Sequence, residues 1–149
     1  MNRWLERHRR ALTQEFDPGE QLLAAHRVEV RGSAKNAMDD DRVRTRGSRR
    51  LRWTAANDAG FVVPGPIFVL GVSDRRLVVW RASPWMARPV AIEHAIPLAD
   101  VARVIVIRRL GRRSLAVLLE SGSLLMVQSL WGFGLREVQT AFENARANS

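Results

Sequence analysis

The residues in this chain best able to do chemistry are cations. Residues 31–52 hold Arg31, Lys35, Arg42, Arg44, Arg46, Arg49, Arg50 and Arg52 against Asp39, Asp40 and Asp41, so this stretch alone carries +5 (8 − 3) of a formal +9. A guanidinium is a planar fork of donors that grips phosphate or carboxylate bidentately. The candidate anion-binding residues are therefore Lys35, Arg42, Arg44, Arg46, Arg49, Arg50 and Arg52. The chemistry expected of them is capture of negative charge on a lipid headgroup, a nucleic acid or an acidic protein surface. Against this stand the aspartates inside the run, which repel phosphate. The chain also draws 23 of its 24 cations from Arg, a bias that genome composition produces without any ligand.

Nucleic acid is the alternative partner. Residues 42–50 can follow a phosphate backbone, with Trp53 placed to stack on a base. No helix-turn-helix, zinc or ribonucleoprotein motif accompanies them. Trp4, Trp53, Trp85 and Met86 are candidate contacts with a partner or membrane, because a bulky side chain in a basic helix or a loop can enter an interface. For Trp4 the competing reading is packing against a sheet.

Catalytic groups are sparse. His8, His26 and His94 fall in unrelated segments, and Glu93 and His94, adjacent in a strand, point to opposite faces. The serines lack a nucleophile elbow. Asp39-Asp40-Asp41 lacks the glycine and bidentate glutamate spacing of a calcium loop. With no cysteine there is neither a thiolate metal site nor a disulfide. Gly132-Phe133-Gly134 reads as a change of direction rather than a phosphate cradle. No enzyme, cofactor or metal is expected.

The elements that must position these groups follow from periodicity. Trp4, Leu5, Ala11, Leu12 and Phe16 form one stripe of a helix within residues 1–16, ended by Asp17-Pro18-Gly19. Leu22, Ala24, His26, Val28 and Val30 alternate, as in a half-buried strand, and place His26 on the apolar face as a hydrogen-bonded core or edge residue. Residues 31–60 lack sustained periodicity and read as a long basic loop insertion. Residues 67–72 and 77–80 form a hairpin about Ser73-Asp74-Arg75-Arg76. Pro89 to Ile96, Val104 to Ile107, Ser114 to Leu119 and Leu124 to Val127 are further strands, the last three an antiparallel meander. Leu135, Val138, Ala141, Phe142 and Ala145 repeat at helical spacing. At 149 residues, one domain over 1–149 is expected.

Four short motifs occur in an order that resembles bacterial pleckstrin-homology-like (PH-like) and GRAM-type domains. Pro18-Gly19-Glu20-Gln21-Leu22-Leu23 resembles their opening, and Leu70 to Leu77 (Leu-Gly-Val-Ser-Asp-Arg-Arg-Leu) their first tight hairpin, with Ser73 in place of the commoner Thr. Ile96-Pro97-Leu98-Ala99-Asp100-Val101 and Leu118 to Leu124 are similar to two later segments, so the likeness covers roughly residues 18–145. The N-terminal helix and the insertion depart from the pattern. The resemblance implies a mainly β, bent antiparallel barrel with an N-terminal helix and a C-terminal capping helix. It also implies a non-enzymatic binding module for an anionic lipid or a protein partner. The spacing Lys35-(six residues)-Arg42-Val43-Arg44 is similar to the phosphoinositide pattern of eukaryotic PH domains. A basic N-terminus without a following apolar run, and no stretch long enough to span a bilayer, suggest a cytoplasmic protein, peripheral at most to the inner face of the membrane. Homo-oligomers through exposed strand edges are a further expectation.

Overall fold

The computed structural model describes residues 2–30, 67–83, 88–109, 112–122, 124–129 and 134–149. Period-two apolar patterning builds seven antiparallel strands: β1 (Leu22–Val30), β2 (Ile67–Ser73), β3 (Arg76–Ala82), β4 (Pro89–Pro97), β5 (Val101–Arg109), β6 (Arg112–Leu119) and β7 (Leu124–Ser129). They form one sheet in the order β4-β3-β2-β1-β7-β6-β5. Helix α1 (Arg3–Thr13) precedes the strands and α2 (Leu135–Ala147) follows them. Asn2 caps α1 by accepting a hydrogen bond from the Leu5 N–H at 3.2 Å.

The sheet is bent. In a flat sheet the edges β4 and β5 would lie six strand spacings, about 29 Å, apart. Yet the chain passes from Pro97 to Val101 through a 3-10 turn at Leu98–Asp100, a reach of at most about 14 Å. That turn is bonded at both ends: Leu98 N–H to the Arg75 carbonyl at 3.2 Å and Glu120 N–H to the Asp100 carbonyl at 2.9 Å. It therefore ties the β2–β3 hairpin to the β6–β7 turn, which only a curled sheet permits.

The expected closure into a barrel is not made, since β4 and β5 do not pair and the sheet stays open. Part of the reason lies at those edges. On β5, the Val106 N–H donates to Gln139 Oε1 at 3.0 Å, and Arg146 Nη1 donates to the carbonyls of Val101 and Ala102. On β4, the Ile92 N–H donates to Glu15 Oε1 at 2.9 Å. Side chains from the helices and the segment after α1 occupy backbone groups that closure would use.

Two cores result. On the concave face, Leu135, Val138, Phe142 and Ala145 of α2 pack with Val28, Phe68, Leu70, Leu77, Val104, Leu115 and Val127. On the opposite face, Leu5 and Leu12 of α1 pack with Leu22, Ala25, Val69, Val78 and Trp80, and Trp4 and Phe16 lean on them. Strands β2 and β3 are thus covered on both sides, which explains their unbroken apolar runs. A register irregularity between Leu22 and Ala24 moves Leu22 to the α1 face, so the expected alternation through residues 22–30 loses its first member.

Candidate functional site

Because α1 docks through one side, its other side is set by helical geometry. Arg3, Arg7 and Arg10 recur at spacings of four and three, within a narrow stripe opposite Leu5 and Leu12. All three are exposed, and among the described residues none forms an ion pair. Arg9, around the helix, is different. It pairs with Glu6 at 2.8 Å and donates to the Leu22 carbonyl at 3.3 Å, fastening helix to strand. The Arg9 hydrogen bond holds the Glu6 carboxyl below the usual glutamate range.

Trp4 lies beneath this stripe. Its ring stands 4.8 Å from His8 and 5.1 Å from the Arg27 guanidinium. Its indole N–H is buried without a hydrogen-bond acceptor. Burial pulls the Arg27 guanidinium below the ordinary arginine value. Trp4 is half-buried in the α1–sheet contact, which favours packing over membrane insertion for this residue.

Two of the family-like motifs meet in space. Asp17-Pro18-Gly19-Glu20 is a tight turn closed by Glu20 N–H to the Asp17 carbonyl at 3.0 Å, with Gly19 at φ 81°. Proline before a positive-φ glycine is what such a turn demands. The turn delivers the Glu20 carboxylate, wholly buried, against the β2–β3 hairpin. There it accepts from Ser73 Oγ at 2.6 Å and from Arg76 through Nε at 2.8 Å and Nη2 at 3.0 Å. Asp17 N–H donates to its second oxygen at 3.0 Å. Burial is the largest influence on Glu20 and opposes ionisation. The bonds from Arg76, Ser73 and Asp17, with the Arg76 charge, outweigh it and leave the carboxyl below its usual range. Arg76 is raised in turn, first by that same hydrogen bond. This is a latch between the start of β1 and the hairpin, with its acceptors already taken. The sequence signals it only as two unrelated motifs.

His26 is buried on the concave face, with Nε2 3.2 Å from Ser129 Oγ. Gly134, the N-cap of α2 at φ 96°, lies so close that a Cβ there would stand 2.2 Å from His26 Nε2. The glycine is required by both backbone and space. His8, His26 and His94 sit on α1, β1 and β4 respectively.

Of the residues singled out from sequence, Lys35, Arg42, Arg44, Arg46, Arg49, Arg50, Arg52, Trp53, Trp85 and Met86 lie outside the described residues. The structure instead brings forward Arg3, Arg7 and Arg10, whose signal was their spacing along a helix with an apolar opposite side. No helix among the described residues is long and apolar enough to cross a membrane. Compared with known proteins, the chain matches no family model and no curated sequence.

Proposed function

We propose that the chain is a PH-like, non-enzymatic binding module that engages an anionic lipid surface and works peripherally at a membrane. The observation that carries this reading is the Arg3-Arg7-Arg10 stripe. Three exposed cations without carboxylate partners are held on a helix whose other side is fixed to the sheet. A cation near an anionic bilayer is worth about 1 kcal/mol, so the stripe supplies about 3 kcal/mol, roughly a 150-fold enrichment. That is weak and salt-sensitive on its own, and fits reversible peripheral binding reinforced by further cations.

Nucleic acid is the second reading: its expected stacking residue, Trp53, lies outside the described residues, and Trp4, the candidate partner contact on α1, already has Arg27 and His8 against its ring. Self-assembly through strand edges is disfavoured by Glu15, Gln139 and Arg146, which occupy edge groups of β4 and β5.

Co-sedimentation with phosphatidylcholine vesicles, with and without phosphatidylserine, tests the reading. Binding is expected only with phosphatidylserine, and R3Q/R7Q/R10Q should weaken it at least about tenfold. Equal binding to both vesicles, or a triple variant that binds as the parent does, would overturn it. Substituting Arg42, Arg44, Arg46, Arg49 and Arg50 in parallel measures what residues 31–52 add.

A further inference from the structure

A second group of cations ends the β5–β6 ladder, and it does not depend on the α1 stripe. Arg108, Arg109, Arg112 and Arg113 fall within six residues that contain no acid. The register sets Arg108 opposite Arg113 and Arg109 opposite Arg112. Directly opposed residues hold their Cβ atoms about 5 Å apart, and like charges in such a pair destabilise it. The other pairs of the same ladder contain at most one charge each. Arg108 and Arg113 are both exposed, and neither forms an ion pair among the described residues. Two guanidiniums on a rigid ladder, on the same face by strand alternation, suit an anion with oxygens enough for both.

We propose that the end of the β5–β6 ladder is a phosphate-binding site. Arg108 and Arg113 clasp one phosphomonoester or pyrophosphate group between them. A bound dianion turns the cross-strand repulsion into two charge-assisted, bidentate contacts. The ligand class is a phosphate carrying more than one negative charge, either free or on a lipid headgroup.

Thermal unfolding at matched ionic strength, in chloride and in inorganic pyrophosphate, tests the site. The parent protein should melt higher in pyrophosphate. R108Q/R113Q should melt higher than the parent in chloride, because the repulsion is gone, and should lose the pyrophosphate response. R108Q and R113Q singly should each weaken pyrophosphate binding about tenfold in a calorimetric titration. R3Q/R7Q/R10Q should keep the full response, which separates failure of this site from failure of the helix stripe. A parent indifferent to pyrophosphate, or a double variant that still responds, would overturn the proposal. Phosphatidylcholine vesicles with phosphatidic acid distinguish the source. Weaker binding of R108Q/R113Q identifies a lipid-borne phosphate, and unchanged binding with a lost pyrophosphate response identifies a free one.

Discussion

At the scale of single residues, the Glu20–Ser73–Arg76 latch sets the sharpest expectation. Removing one partner of a buried ion pair leaves the other uncompensated, so E20Q should cost about 3 kcal/mol in denaturant unfolding. Its pH dependence follows from the sign of the shift. The folded-state value of Glu20 lies below the ordinary 4.5, so the ionised carboxylate stabilises the fold above that value, and the gain fades as pH falls through the lower folded value. The parent should lose stability over this acid range, and E20Q should lack that component. Gly134 gives a second expectation. G134A forces a Cβ into the His26 ring and a side chain into positive φ, so it should lower stability by at least about 2 kcal/mol and loosen α2. Both groups stood in the sequence as motif letters. Their partners lie some fifty to a hundred residues away, and no local pattern reveals that distance.

At the scale of elements, the strands and helices were legible because their burial is simple. All seven strands lie where alternation or apolar runs place them, and α2 spans the residues with helical spacing. What local pattern does not encode is how the sheet ends. Closure of a curled sheet depends on whether two edges bond each other or something else, and here the helices supply part of the answer. The consequence can be measured. Q139A/R146A should free β5 backbone groups and raise the apparent mass by light scattering at high concentration, where the parent should not associate. The docking of α1 is equally testable. Leu12 is fully buried, and its carbonyl accepts the Trp80 indole N–H at 3.0 Å. L12A should cost about 3 kcal/mol, seen as a lower unfolding midpoint, and should loosen the helix that carries the arginines.

At the scale of the whole molecule, a net charge of +9 raises the expectation of an anionic partner but does not say where one would bind. The excess over residues 31–52 dominates the count, yet charge density along a chain is not charge geometry on a surface. Geometry appears where an element is held. The stripe on α1 faces outward because Leu5 and Leu12 face inward, and the arginine pairs on β5–β6 are opposed because the register opposes them. The proposed lipid-facing surface consists of these fixed cations. The most direct test is the partition of the parent and of R3Q/R7Q/R10Q onto phosphatidylserine-containing vesicles, measured at rising potassium chloride. For that proposal to hold, partition of the parent should be strong and fall steeply with salt, while that of the variant should be weak and change little. Indistinguishable salt profiles for the two proteins would contradict it.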